Sequence, residues 1–178
     1  MTPIVSIVGK SKTGKTTLIE GLIKELKSRG YRVATAKHTS HELMLDKPGK
    51  DSWRHIQAGS EATAISSPYQ LVFIKPVAQP PSLDEIACLF GNDYDIIVAE
   101  GFKQSDVPKI EVHRKATGGL HGSIRGVLAI ATDEPIETAT KQFSLQDIKG
   151  LASFIEDSFL SHTPGKRQPI VRGNSEFD

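Results

Sequence analysis

The chain has 178 residues, of which 38% are hydrophobic and 24% charged, and its formal net charge is +1. This is an ordinary globular composition, and the charge gives no argument for binding nucleic acid or a membrane surface. The single cysteine, Cys88, excludes an internal disulfide and a thiolate metal cluster, and we expect it to be a buried hydrophobe. Without a recognisable signal peptide or apolar span, we expect a cytoplasmic protein.

Residues 9–16 read Gly-Lys-Ser-Lys-Thr-Gly-Lys-Thr, the G-x-x-x-x-G-K-[ST] pattern of a phosphate-binding P-loop. Its glycines allow backbone N–H groups to turn inward around phosphates. Lys15 places a positive charge on the β- and γ-phosphates, and the Thr16 hydroxyl is a ligand for Mg²⁺. The motif predicts that a nucleoside triphosphate is bound by Gly9, Lys10, Ser11, Lys12, Thr13, Gly14, Lys15, Thr16 and Thr17.

The sequence on both sides of this motif predicts the strand and the helix that a P-loop requires. Ile4-Val5-Ser6-Ile7-Val8 is an apolar run typical of a strand buried on both faces. Apolar residues then recur at helical spacing from Leu18 to Leu26, and Gly30 ends the helix. The alternative, a surface turn rich in glycine and lysine, does not explain this context.

Further helices and strands are predicted to alternate along the chain. We expect strands at 31–36, 62–66, 70–74, 95–99, 109–112 and 127–131, and helices at 51–59, 82–90 and 145–159. Asp51 and Ser52 are predicted to cap the helix over 51–59. The pattern predicts an α/β fold, P-loop NTPase-like, with a mostly parallel sheet and flanking helices. One nucleotide-binding domain, with or without a small lobe, would span residues 1–160, and a polar tail would span 161–178.

An acidic residue follows four apolar ones in the run from Asp95 to Glu100, which is the form of a Walker B strand. Ligands bind beyond the carboxyl ends of parallel strands, so Glu100 should face Mg²⁺ or the attacking water, while Asp95 is structural. Glu100 and Lys15 are therefore the candidate catalytic residues, and Thr16 and Glu100 the candidate metal ligands. The alternative is an ordinary strand with a solvated acid at its edge.

Lys37 and His38 end the predicted second strand at the same edge, so both are expected to contact the nucleotide. They open a polar segment, 37–57, rich in histidine, lysine and aspartate. We interpret it as a loop that contacts phosphates or a second substrate. A metal held by His38 and His41, or a merely solvated loop, are the alternatives.

Asp133, just past the last predicted strand, is the candidate for base recognition. No Asn-Lys-x-Asp motif occurs in the chain. A carboxylate accepts from both N1–H and the 2-amino group of guanine, whereas it repels the lone pair on N1 of adenine. This favours GTP over ATP.

Residues 101–126 carry a local basic excess that suggests contact with a phosphorylated second ligand, or with a protein that holds one. A solvated basic face is the alternative. The basic side chains are Lys103, Lys109, His113, Arg114, Lys115, His121 and Arg125.

Together these segments resemble the molybdopterin-guanine dinucleotide biosynthesis protein B (MobB) family. The resemblance lies in the P-loop and in four further stretches: 37–59 with its Lys-His…Gly-Lys-Asp-Ser…Arg…Ala-Gly residues, 98–103, 108–114 and 131–133. It implies a dimeric GTP-binding protein of molybdenum cofactor synthesis with weak GTPase activity. The partners that the resemblance implies are a molybdopterin guanylyltransferase of the MobA type, which such a protein assists, and molybdopterin itself.

The chain departs from the usual family pattern at two places. Thr39 and Ser40 precede His41 where the family usually has several histidines, which weakens the expected role of this loop. Many members of the family lack a lysine at the position of Lys10; here it matches the signature lysine of a related dimeric P-loop class, in which that lysine reaches across the dimer, or it is simply solvated. A small-molecule kinase on the same fold, with Arg114 and Arg125 closing over the phosphates, and a non-catalytic nucleotide sensor remain the competing functions.

Overall fold

The computed structural model describes residues 2–41, 43 and 46–160, so the predicted tail over 161–178 lies outside the described residues. In chain order the elements are β1 (Ile4–Val8), α1 (Lys15–Ser28), β2 (Val33–Lys37), α2 (Asp51–Gln57), β3 (Thr63–Ser66), β4 (Leu71–Ile74), α3 (Leu83–Phe90), β5 (Ile96–Glu100), β6 (Lys109–His113), β7 (Val127–Thr132), β8 (Lys141–Ser144) and α4 (Ile148–Ile155). A 3₁₀ turn at Lys115–Thr117 precedes β7, and a π turn at Glu156–Leu160 follows α4. The chain divides into unit 1 (residues 1–38 and 83–178) and unit 2 (residues 39–82).

Unit 1 contains a six-stranded sheet in the order β2-β5-β1-β6-β7-β8, and every neighbouring pair is parallel. The adjacent strands β1 and β5 are mostly apolar and buried along almost their whole length, as expected where helices cover both faces. In the register of this sheet, Glu100 lies beside Ile7 of β1 and Lys37 of β2. The carboxyl ends of three strands therefore meet at one edge, directly beside the loop that follows β1.

Two apolar clusters hold helices against the two faces of this sheet. On one face α1 packs with α4, through residues such as Leu22 and Leu151 that have no exposed surface. On the other face α3 contributes Leu83 and Ala87, which pack with Ala99 of β5. Complete burial of one leucine side chain stabilises a fold by about 1.5–3 kcal/mol, so these contacts hold α1 firmly against the sheet.

The C-terminal end of α1 is fixed by a polar network as well. Arg29 donates to Glu25 at 2.9 Å and to Glu156 at 2.8 Å, and the Tyr31 hydroxyl donates to Glu156. Burial, and then the bond to Glu156, raise the pKa of Tyr31 to about 12. Helix α1 is thus held by the packing of its apolar face and by this network at its C-terminal end.

The predicted mostly parallel α/β fold is confirmed, but details of two helices differ from expectation. The long closing helix predicted over 145–159 is α-helical only from Ile148, because Asp147 is the N-cap and accepts from the Gly150 N–H at 2.9 Å. The N-cap of α2 is Lys50, and the Ser52 hydroxyl bonds Asp46 at 2.9 Å, so the predicted Asp51–Ser52 cap is wrong.

Cys88 is exposed, and the expectation that it is buried is wrong. Helix α3 packs through Leu83 and Ala87, four residues apart, and the position after Ala87 lies about a quarter turn away from that stripe. Over the part of the chain that the structure describes, no helix combines the length and the apolar character needed to cross a membrane.

Unit 2 consists of α2 and an antiparallel hairpin of β3 and β4, paired from Thr63↔Ile74 to Ser66↔Leu71. None of its described residues is buried. Its strongly exposed apolar side chains are Leu43, Ile65, Tyr69, Leu71, Val72, Phe73 and Val77.

Candidate functional site

The loop between β1 and α1 has a backbone that only glycine can supply at two positions. Gly9 has φ +143°, and a Cβ there would lie 2.4 Å from the Val112 carbonyl oxygen. Gly14 has φ +93° and is the N-cap of α1. Between them the buried Thr13 closes the loop, because its hydroxyl donates to the Lys10 carbonyl at 3.1 Å. Gly9 is therefore needed because the Val112 backbone approaches it closely, and Gly14 is needed because its φ is left-handed.

The start of α1 is a favourable place for an anion. Gly14 has no side chain to cap the helix, and Lys15, Thr16 and Thr17 supply no acidic group in the first turn. The first N–H groups of a helix point outward from its positive end, and this helix is 14 residues long.

The Lys15 ammonium lies over the loop, where it donates to the Lys10 carbonyl at 2.7 Å and the Gly9 carbonyl at 3.3 Å. Burial lowers the pKa of Lys15 from its usual range, and the nearby Glu100 carboxylate opposes that shift. Lys15 is thus a partly desolvated cation, and its interaction with a phosphate oxygen would be stronger than in water.

Glu100 brings three of the predicted site residues together. Its two carboxylate oxygens accept from the Thr16 hydroxyl at 3.3 and 3.2 Å, and the Lys37 ammonium lies 3.6 Å from one of them. A hydroxyl and a carboxylate are hard oxygen ligands that suit Mg²⁺, which takes few protein ligands and completes its shell with phosphates and water. The residues present therefore fit a magnesium ion.

His38 and Asp95 are placed differently from Glu100. The backbone N–H of His38 donates to the Glu100 carbonyl at 3.0 Å, and the centroid of the His38 ring lies 5.3 Å from that of the Phe102 ring. Asp95 lies at the other end of β5 and accepts from the Arg32 backbone N–H at 2.7 Å. Over the residues described, no group of three or more His, Cys, Asp or Glu side chains is placed to hold a metal ion.

Asp133 lies beyond β7, where one of its oxygens accepts from the Lys115 backbone N–H at 2.8 Å. The Arg114 guanidinium is 3.9 Å from the other oxygen, and it also donates to the Thr13 carbonyl at 3.0 Å. Sequence reasoning treated Arg114 as part of a basic segment and missed its contact with the P-loop.

The expectation that the basic residues of 101–126 face a ligand is wrong for two of them. Lys109 is 1% exposed, and its ammonium donates to the carbonyls of Ser105 and Val107. Burial lowers the pKa of Lys109. His113 is 4% exposed and bonds Glu134 at 3.0 Å, whereas the Lys115 side chain is well exposed.

A cavity of about 320 Å³ opens beside the first turns of α1. It lies next to the P-loop and has both polar and apolar walls. Its lining includes Gly14, Thr17, Gly21, Arg114, Leu145 and Ile148.

The family model of molybdopterin guanine dinucleotide synthesis protein B, MobB, matches residues 4–133. The chain belongs to the MobB family. It is 40% identical over 167 residues to the molybdopterin-guanine dinucleotide biosynthesis adapter protein of Haemophilus influenzae, and the match covers 93% of each chain. The protein of the same name from Escherichia coli is 33% identical, covering 87% of this chain and 92% of its own.

Solved MobB structures share the fold. One crystal structure of molybdopterin-guanine biosynthesis protein B has a TM-score of 0.71 at 33% identity, and the match covers 87% of this chain and 99% of that one. MobB of Bacillus subtilis has a TM-score of 0.70 at 24% identity, covering 88% and 98%. The resemblance to MobB and the accessory role in molybdenum cofactor biosynthesis that it implied are thereby confirmed.

Proposed function

We propose that this MobB chain is a GTP-binding adapter that assists a separate MobA-type guanylyltransferase as it joins GMP to molybdopterin. The observation that carries the proposal is the convergence of Lys15, Thr16 and Glu100 at the uncapped start of α1. This arrangement suits a triphosphate with its metal ion. The experiment that tests the adapter role is reconstituted cofactor synthesis by the transferase with and without this chain.

Triphosphate binding would use the groups of the loop in distinct ways. The N–H groups at the start of α1 would donate to phosphate oxygens, and the Lys15 ammonium would exchange its bonds to two loop carbonyls for bonds to phosphate. Thr16 and Glu100 would hold Mg²⁺, which neutralises phosphate charge when bound. Glu100 would also orient a water for weak GTP hydrolysis.

The base would be recognised at Asp133. Because the Lys115 N–H holds one of its oxygens, the carboxylate has a defined orientation, and it remains about one-third exposed to a ligand. The cavity beside Arg114 and Leu145 offers space for a nucleoside next to the P-loop.

Glu100→Gln should leave GTP binding nearly intact and slow hydrolysis per bound nucleotide by at least about tenfold. The amide keeps the shape and removes the negative charge that holds Mg²⁺ or orients water. Single-turnover hydrolysis measured at saturating GTP checks this. Asp95→Asn, at the opposite end of β5, is the matched control and should hydrolyse GTP at the wild-type rate. Equal rates in wild type and Glu100→Gln would leave Glu100 a structural residue.

Asp133→Asn should reduce the preference for GTP over ATP by roughly tenfold to a hundredfold, since one mismatched polar contact costs about 1–3 kcal/mol. The same variant should gain affinity for XTP, because the amide N–H can donate to the 2-oxo group of xanthine. Competition binding of GTP, ATP and XTP measures both changes. If the ratios among the GTP, ATP and XTP affinities are the same in Asp133→Asn and in wild type, the base is recognised elsewhere.

We infer further that the chain forms a homodimer through unit 2. An isolated two-stranded hairpin is marginally stable in water, and none of the described residues of this unit is buried. Leu71 and Phe73 are 73% and 52% exposed on one face of β4, an arrangement that a second copy would cover.

Phe73→Asp should therefore raise the dimer dissociation constant by roughly 100-fold. A two-fold interface loses the residue from both copies, each worth about 1.5 kcal/mol or more of apolar burial. Sedimentation equilibrium measures the constant, and Gln70→Asp adds the same charge to the hairpin without removing an apolar group. A wild-type chain that is monomeric at high concentration would refute the dimer itself.

A further inference from the structure

We propose that Arg114 is a positioning residue that sets the phosphate-binding loop and the base-recognition carboxylate together. The inference rests on the proposed function, in which the P-loop binds triphosphate and Asp133 binds guanine. Arg114 lies 101 residues along the chain from Thr13, yet its Nε donates to the Thr13 carbonyl at 3.0 Å. No phosphate-binding motif includes this arginine, so its role follows from the contacts alone.

The bond to Thr13 fixes the orientation of one peptide in the loop. In a trans peptide the C=O of Thr13 and the N–H of Gly14 point in opposite directions. With the carbonyl held by Arg114, the Gly14 N–H points away from the guanidinium and can donate to an anion in the loop. A rotated peptide would instead present a carbonyl oxygen to phosphate, which is repulsive. The Thr13 hydroxyl, bonded to Lys10, fixes the same residue from its side chain.

Arg114 is itself held closely against the loop. A Cβ on Gly14 would lie 3.3 Å from its Nη2 and 3.4 Å from its Nε, so the guanidinium packs directly on this glycine. The turn that follows is tied down as well, because the Lys10 ammonium donates to the Thr117 carbonyl at 3.4 Å and the Thr117 hydroxyl donates to the Arg114 carbonyl at 2.8 Å. These contacts give the Arg114 side chain a defined position against the loop.

The other end of the guanidinium faces Asp133, at 3.9 Å from Nη1 to the carboxylate. This pair is partly exposed and contributes little to stability by itself. The pair matters for geometry. The planar guanidinium can donate to a carbonyl through one nitrogen and face a carboxylate with another at the same time, whereas the single ammonium group of a lysine cannot. One side chain thus orients both the phosphate-binding loop and the carboxylate that would bind the base.

The test measures three probes with Mg²⁺ by calorimetry: inorganic tripolyphosphate, GTP and ATP. In Arg114→Gln we expect roughly tenfold weaker tripolyphosphate binding and a roughly tenfold smaller ratio of GTP to ATP affinity. Arg114→Lys can still donate to Thr13, so it should keep tripolyphosphate affinity within about threefold while losing base selection to the same extent. The Gly14 amide resonance should move in Arg114→Gln but not in Arg114→Lys.

Arg32→Gln is the matched control, because it removes an arginine that pairs with an aspartate, Asp95, at the far end of the sheet. It should bind all three probes like wild type. If Arg114→Gln and Arg114→Lys both bind tripolyphosphate and discriminate GTP from ATP as wild type does, the inference is overturned. A wild-type chain that binds neither tripolyphosphate nor GTP would overturn the proposed function itself, and the two failures are therefore distinguishable.

Discussion

Lys15→Ala is expected to weaken GTP binding by roughly 100-fold or more. The lysine provides a partly buried positive charge whose hydrogen bonds are to backbone carbonyls of the loop, and a charge-assisted contact of this kind contributes about 1.5–3 kcal/mol. Its loss also leaves the phosphate charges without their nearest cation. Calorimetric titration with GTP and Mg²⁺ measures the change.

The substitution should not reduce the thermal stability of the chain. Burial already lowers the pKa of Lys15, so its charged form is disfavoured at this position, and alanine is the better helix former. Lys27→Ala, at the exposed end of the same helix, is the control and should bind GTP as wild type does. Undiminished GTP affinity in Lys15→Ala would mean that residues 9–17 are not the nucleotide site.

The P-loop and Glu100 could be predicted because both depend on local patterns. The motif and its flanking strand and helix are contiguous, and an acid at the end of an apolar strand must lie at the ligand edge of a parallel sheet. The structure then places Thr16 and Lys37 around Glu100 as that reasoning expects.

The surroundings of the site could not be predicted in the same way. A basic composition over 101–126 does not reveal which side chains are buried. It therefore predicts a ligand contact for Lys109, whose ammonium instead donates to carbonyls of its own loop. Arg114 contacts Thr13, which is far away in the sequence, and no hydrophobic periodicity predicts that contact. Strand β8 was missed because Lys-Gln-Phe-Ser is mostly polar and pairs only at the sheet edge.

The second large effect concerns synthesis of the cofactor. We expect the purified chain, with GTP, Mg²⁺ and molybdopterin, to make no molybdopterin guanine dinucleotide. A MobA-type guanylyltransferase should make some alone and several-fold more when this chain is added. Lys15→Ala should return the yield to that of the transferase alone, because the proposed stimulation requires GTP to be bound by this chain.

The exposed basic side chains allow the partner contact to be tested separately from nucleotide binding. A charge reversal that includes Lys109 would place an acid in a buried position, and one that includes Arg114 would disturb the P-loop. Lys115→Glu with Arg125→Glu avoids both, since these side chains are exposed. This double variant should bind GTP normally and stimulate the transferase less, with an effect that shrinks at high salt. Full synthesis by the chain alone would make it the transferase, and undiminished stimulation by the double variant would remove the basic segment from the partner contact.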